Sequence, residues 1–369
     1  MLSAPTKPLS ADCCWLLTLP TSSRVDVRDA SSPRTSASRA GSASRMASDA
    51  WRRSTLSYRE RFVDDFVLRV PGAGDGAPAL RIAQAPCASA AAARLPPASS
   101  APAAPSSPPA GSARDPVPET GFTVWDASIL LAAYVTQPAT WARLVAPRAR
   151  PRSARSRAPN PRPPTSDAPS DASPPSPASP VVVLELGAGT GAAGLALAAT
   201  GLPSVVAMTD LPEILPHLRH NARRNARSEG GPIPPDVALA VCALRWGEEG
   251  DVDALPAPCR DADVVLGADL AYTTDARVID ALVETLDRVV PTDGVAVFAS
   301  CVEHRPEAVA RFERGAETRG FDARVVGRGE LGEGFGRGEG EDDAFRVVEL
   351  RRRRGGGGGR GGEVRPGSS

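Results

Sequence analysis

The sequence predicts an α/β fold: a seven-stranded, mainly parallel sheet with helices on both faces and a β-hairpin ahead of it. Three features carry this expectation. Short β-branched runs alternate with helical stretches from Val181 onward, a glycine-rich turn from Gly187 to Gly191 follows the first run at once, and the last two runs flank a glycine-rich loop. Alternating strand and helix signals are what parallel pairing demands, because each parallel connection must cross the sheet.

Taken in order, Ser57 to Val70 and Ala79 to Gln84 read as the two strands of the hairpin, joined through Pro71 to Gly76. Gly121 to Tyr134 reads as an amphipathic helix with an aromatic at its entrance. Val181 to Leu186 is the first sheet strand, and a helix through Leu195, Ala196 and Leu197 begins at the glycine turn. Ser204 to Thr209, Val237 to Leu244 and Ala262 to Tyr272 supply the next strand signals. Gly294 to Ser300 is a further strand and Glu307 to Arg319 a helix. Phe321 to Val326 and Ala344 to Leu350 close the sheet as an antiparallel pair around the loop Gly327 to Gly340.

The chemistry starts at Glu185-Leu-Gly187-Ala188-Gly189-Thr-Gly191. Glycines let the backbone turn tightly after a strand and lie against a ligand with no Cβ in the way. Glu185, at the carboxyl end of its strand, is placed to hold a cation or to order the turn. Asp210 follows the second strand 21 residues after Gly189, the spacing at which an acid meets ribose hydroxyls. These features fit S-adenosylmethionine (SAM) and a dinucleotide equally, since each carries an adenosine ribose. Asp210 is also a candidate N-cap for a helix starting at Leu211-Pro212. Trp125, Trp246 and Tyr272 taken singly could be packing aromatics.

Five motifs in fixed order decide further: VWDAS from Val124, VLELGAGTG from Val183, TDLPEILPHLRHNARRN from Thr209, LRWG from Leu244 and VLGADLAYTTD from Val265. Together, over roughly Gly121 to Leu350, they resemble the seven-β-strand class I SAM-dependent protein-lysine methyltransferases of the methyltransferase-like 21 type (methyltransferase family 16). The resemblance implies a Rossmann-like seven-stranded sandwich, SAM as cofactor, and a protein lysine as methyl acceptor. Carried over by position, it implies that Trp125, Glu185, Gly187, Ala188, Gly189, Asp210, Trp246 and Ala268 bind the cofactor. Asp269 and Tyr272, the D-x-x-Y element, are implied at the substrate end as catalytic residues. One departure is Leu270-Ala271, where this family often carries a β-branched pair.

Other classes stay open as alternatives: a SAM enzyme acting on arginine, a protein N-terminus or a small molecule, and a SAM-binding interaction module without catalysis. A nicotinamide oxidoreductase is disfavoured, because Lys7 is the only lysine and no Tyr-x-x-x-Lys pair exists. His217, His220 and His304 lack metal-ligand spacing, so no metal is expected. Asn221 and Asn225, four apart on one helix face, are expected to be structural.

The domain plan places a disordered or transit segment at 1–50, the hairpin at 51–84, an Ala/Pro/Ser-rich linker at 85–118 and the methyltransferase domain at 119–350. That domain carries an insertion at 147–180, and an Arg/Gly tail occupies 351–369. Such compositions cannot bury enough apolar surface to order themselves. Formal charge is zero, with 43 basic and 43 acidic groups, but residues 180–350 hold roughly 16 against 29. An acidic core suits a basic protein segment and repels nucleic acid. No membrane association is expected, and the chain is expected to be a monomer. The six cysteines show no framework spacing, which implies a reducing, cytoplasmic setting; a plastid or mitochondrion is the alternative if residues 1–45 are a transit peptide.

Overall fold

The computed structural model describes residues 14–17, 65–70, 79–84, 119–146, 180–332 and 344–353, with 14–17 described as backbone only. The linker 85–118, nearly all of the insertion 147–180, most of the segment 1–50 and of the tail, and the loop beyond Gly332 lie outside these residues.

Among the described residues, ten strands form two sheets. Strands β2 (Asp65–Arg69) and β3 (Ala79–Ala83) pair antiparallel as the small hairpin. The large sheet contains β1 (Cys14–Leu17), β4 (Val182–Leu186), β5 (Val205–Asp210), β6 (Ala238–Ala243), β7 (Val264–Ala268), β8 (Val295–Cys301), β9 (Phe321–Val325) and β10 (Phe345–Arg352). Its order is β1-β6-β5-β4-β7-β8-β10-β9. Strands β4 to β8 run parallel, and β10 runs antiparallel between β8 and β9. This is the expected Rossmann-like class I methyltransferase arrangement. An eighth strand, β1, is added: it lies within the segment assigned to disorder or transit, and it pairs antiparallel with β6. Cys242 of β6 is disulfide-bonded, which cysteine spacing did not foresee, while Cys259 and Cys301 are buried thiols.

The central strands are buried on both faces, so they read as continuous apolar runs. In β4, Val183 joins the core beneath one helical layer while Val182, Leu184 and Leu186 join the other. Burying each such side chain contributes about 1.5–3 kcal/mol. One layer holds α1 (Asp126–Val135), α2 (Pro138–Val145), α3 (Ala192–Ala199) and α4 (Leu215–Asn225). The short α5 (Glu249–Asp253) and α6 (Ala257–Arg260) precede β7; α7 (Ala276–Val289) and α8 (Pro306–Thr318) belong to the opposite layer.

Two helical expectations change. Helix α1 is not amphipathic: every residue except Ser128 is buried, because α3 and strands β7 and β8 pack around it, and a helix enclosed on all sides is apolar all round. The helix after Asp210 starts four residues later than foreseen, with Ile214 as its N-cap, so Asp210 does not cap it. Strand β10 also runs on through Arg351 and Arg352, into the segment assigned to the tail. The guanidinium of Arg352 sits 4.7 Å over the Phe321 ring and pairs with Asp287 at 2.8 Å.

A charge cluster around buried Glu349 fastens α1 and α2 to the β9–β10 edge of the sheet. The Tyr134 hydroxyl donates to Glu349 Oε1 at 2.6 Å, Arg143 donates to Oε2 at 2.8 Å, and Arg324 reaches the same carboxylate. Burial alone would raise the Glu349 carboxyl. The hydrogen bonds from Arg143, Arg324 and Tyr134 outweigh it and hold the group at about 2.

Candidate functional site

The strand order reverses between β4 and β7, and in open α/β sheets the crevice outside the carboxyl ends of the strands at such a point receives ligands. A cavity of about 920 Å³ opens there. All ten site residues expected from the sequence line it: Trp125, Glu185, Gly187, Ala188, Gly189, Asp210, Trp246, Ala268, Asp269 and Tyr272.

The glycine turn is shaped by left-handed backbone. Gly187 has φ 54°, Gly189 φ 54° and Gly191 φ 81°, values at which a Cβ is strained. A Cβ on Gly187 would also lie 2.6 Å from Leu270 Cδ2 and 3.1 Å from Trp246 Cζ2. The turn is tied to its neighbour strand by the Ala188 N–H, which donates to the Thr209 carbonyl at 2.9 Å.

Asp210 binds both sides of the cleft floor. Its Oδ2 accepts the Gly189 N–H at 2.7 Å and its Oδ1 accepts the Leu211 N–H at 2.7 Å. Each carboxylate oxygen can accept a further hydrogen bond. Burial pushes this carboxyl up to about 6 despite those two donors. Glu185, 2% exposed, accepts the Gly194 N–H at 3.0 Å through Oε2. Of the two roles the sequence left open to it, ordering the turn is visible in this bond. Burial raises its carboxyl to about 8, and the neighbouring Asp210 adds to the rise.

Two tryptophans flank the floor. The Trp125 indole N–H donates to the Thr120 carbonyl at 2.8 Å, within the short helical turn Glu119–Phe122. Trp246 follows β6 in a loop fixed on both sides. Arg245 makes a two-pronged pair with buried Asp251 at 2.8 Å, and the Gly247 N–H donates to Thr285 Oγ1 at 2.9 Å.

At the other end, Asp269 follows β7 and has φ 55°, the one positive φ outside glycine among the described residues. Its N–H donates to the Ala299 carbonyl at 2.7 Å, and its Oδ1 accepts the Cys301 N–H at 3.1 Å. Burial raises its carboxyl above the usual range. Tyr272 stands at the mouth, 38% exposed, with its phenol raised by burial.

Sequence reasoning did not place Thr120, Ile214, Arg277, His304 or Arg305 in this lining, where all five occur. Thr120 comes from the short helical turn, Arg277 from the first turn of α7 and the others from the segments that lead into α4 and α8, and their approach depends on tertiary packing; only the position of Thr120, five residues before the VWDA tryptophan, offers a local clue. Among the described residues, no group of three His, Cys, Asp or Glu could hold a metal. No helix there is long and apolar enough to cross a membrane.

A Rossmann-like sheet whose glycine turn, acid and paired tryptophans open on one cleft defines a class I methyltransferase domain. Residues 113–318 match the family described as lysine methyltransferase, and the chain belongs to that family. Over 136 residues it is 35% identical to EEF1A lysine methyltransferase 3 of Mus musculus, a match covering 37% of this chain and 48% of that protein. Over 119 residues it is 35% identical to protein N-lysine methyltransferase METTL21A of Danio rerio, covering 32% and 48%. The chain thus spans about half the length of these curated relatives. Among solved structures it is similar to a ribosomal protein L11 methylase from Lactobacillus delbrueckii subsp. bulgaricus, with 17% identity and TM-score 0.32 over 48% of this chain and 72% of that one.

Proposed function

We propose that this protein is a SAM-dependent protein-lysine N-methyltransferase. The observation that carries the reading is the convergence of all ten motif residues on one cavity at the reversal point of the sheet, in a chain of the lysine methyltransferase family. The cavity fits the cofactor on its own evidence. Its floor is a glycine cradle that a side chain would fill, and beside it stands a carboxylate oriented by two backbone N–H groups. Asp210 would receive the ribose hydroxyls, the glycine turn would lie along the cofactor's backbone-hugging face, and Trp125 and Trp246 would wall it. When bound, SAM supplies an activated methyl on a sulfonium.

The residues at the open end have a narrower task. In-line transfer needs a neutral amine aligned with the methyl and shielded from water. A free lysine is almost wholly protonated near neutral pH, with a reference value of about 10.4. Asp269, locked by β8 and facing the cleft, is placed to attract and orient the ammonium; Tyr272 is placed to shield the entry. The acidic balance of residues 180–350 favours a basic protein segment as the partner.

The test is to incubate the purified full chain with radiolabelled SAM and a cell lysate, beside Asp210→Ala, and to analyse the amino acids of any labelled band. Methyl-lysine in a discrete protein, lost in the variant, is the expected result. Label confined to arginine, N-termini or small molecules, or SAM binding without any transfer to an added basic-protein panel, would overturn the reading.

A further inference from the structure

The hairpin β2–β3 is tied to the pocket through an unusual seam. The edge of β3 is bonded not by another strand but by one face of α4. Asn225 Oδ1 accepts the Arg81 N–H at 2.9 Å and its Nδ2 donates to the Arg81 carbonyl at 2.9 Å. Asn221 does the same for Ala83, at 2.8 Å and 3.2 Å. His217, one turn earlier, brings Nε2 within 3.0 Å of the Ala83 carbonyl. The match is geometric: two strand residues advance about 6.6 Å and four helical residues about 6 Å, so side chains four apart on a helix meet alternate strand residues. A carboxamide has both donor and acceptor, so it can stand in for the missing strand.

The seam continues to the pocket wall at two points. Asn221 Nδ2 also donates to the carbonyl of Thr190, within the glycine turn, at 3.0 Å. Gln84, which ends the hairpin and is fully buried, accepts the Val124 N–H at 2.8 Å through Oε1. Val124 immediately precedes Trp125. Thr190 and Trp125 line the cavity, whereas Gln84 and Asn221 do not. The inner face of the hairpin, Leu68, Val70, Leu80 and Ile82, shares one core with Val124 and Ala192, so the hairpin, the Trp125 segment and the glycine turn are one packed unit.

We propose that Gln84 and Asn221 are positioning residues for cofactor binding, through which the N-terminal hairpin sets the Trp125 wall and the glycine turn. The inference rests on reading the cavity as the SAM site. Without the Gln84 acceptor, the 2.8 Å bond that fixes the Val124 N–H is lost and the segment that carries Trp125 shifts. The effect falls on SAM affinity, because Asp269 is held from β8 through Ala299 and Cys301.

The experiment compares the full-length wild type with Gln84→Met, Gln84→Glu and Asn221→Asp. The readouts are SAM dissociation constant, kcat at saturating SAM, and thermal midpoint with and without SAM. In Gln84→Met the SAM dissociation constant should rise about ten-fold, roughly one hydrogen bond's worth. Its kcat should stay within about two-fold and its SAM-induced rise in midpoint should shrink. Gln84→Glu retains an acceptor oxygen at the same reach and, assayed at a pH low enough to keep that buried carboxyl neutral, should recover most of the affinity. Asn221→Asp, which keeps the acceptor for the Ala83 N–H but loses the donor to the Ala83 and Thr190 carbonyls, should weaken SAM in the same sense, and it carries the test if Gln84→Met does not fold. Equal lowering of both midpoints with an unchanged dissociation constant would overturn the proposal and leave the seam merely structural. A wild type that binds no SAM would instead overturn the reading of the cavity itself.

Discussion

Where the glycine turn leaves β4 the chain offers its own main-chain groups for its neighbours to bond, whereas where β7 ends it is fixed around one side chain, Asp269. At the first end three glycines adopt left-handed backbone, and the N–H groups of Ala188 and Gly189 are anchored by Thr209 and Asp210. At the second, a residue with a Cβ occupies the left-handed region and its own carboxylate bonds the Cys301 N–H. Asp tolerates that region better than most residues, yet the conformation still costs on the order of 1 kcal/mol. Under the proposed function the difference divides the work: one end would be a preformed cradle for the cofactor, and the other would present a strained, cleft-facing carboxylate to the substrate.

The largest expected effect separates the two ends. Asp269→Asn keeps a side chain suited to the left-handed backbone and an oxygen for Cys301, and it removes only the charge. Turnover should fall about 100-fold or more, with SAM affinity unchanged within about two-fold, as read by single-turnover kinetics and equilibrium binding. A matching loss of SAM affinity would merge the two ends into one site. Next in size is Asp210→Ala, which frees two backbone N–H groups and removes the ribose acceptor. SAM affinity should drop by about 10- to 100-fold, since hydrogen bonds to a charged group are each worth about 1.5–3 kcal/mol; unchanged affinity would put the adenosine elsewhere. Smaller still is Gly187→Ala, for which an effect of about ten-fold on SAM affinity is expected from backbone strain of about 1–2 kcal/mol. Because the added methyl meets Leu270 of the D-x-x-Y segment, this variant should also lower kcat, and it measures how far the two ends touch.

The same contrast governs what the sequence made legible. Glu185, the glycine turn and Asp210 announce themselves because their geometry is written in local spacing. Asn221 and Asn225 could be read as structural from their four-residue step, but not that their partner is the edge of β3. The sequence predicts an amphipathic α1 because the packing of α3 against it leaves no local mark. The sequence offers Asp210 both as an acid at ribose spacing and as a cap for the next helix, but not that one of the N–H groups it accepts belongs to Gly189, brought beside it by the β4–β5 pairing. Helix α7 did carry a readable signal, Ile279, Leu282, Val283, Leu286 and Val289 on one face behind an Asp275 cap, and went unassigned. The Glu349 cluster joins residues more than 200 positions apart, which no spacing rule reaches, and Arg351 and Arg352 were left to the tail because arginines promise exposure that the end of β10 does not give them.

The smallest predicted effect concerns Glu185, which belongs to the cradle by position yet carries a titratable group. Burial lifts its carboxyl to about 8 in the folded chain, against about 4.3 when unfolded. A carboxyl raised on folding contributes its full stability below the unfolded value and loses it as pH rises through the folded one. The cofactor-free protein should therefore lose stability from about pH 4.5 to pH 8 through this group, and Asp210, raised to about 6, acts in the same direction over the lower part of that window. Glu185→Gln keeps an oxygen for the Gly194 N–H and removes the titration. Thermal midpoints of the two proteins should lie close together near pH 5 and diverge in favour of the variant toward pH 8.5, so that the variant's curve is the flatter. Parallel curves would mean that Glu185 is already ionised in the fold, and that the cradle, for all its main-chain order, is as wet as the end that receives the substrate.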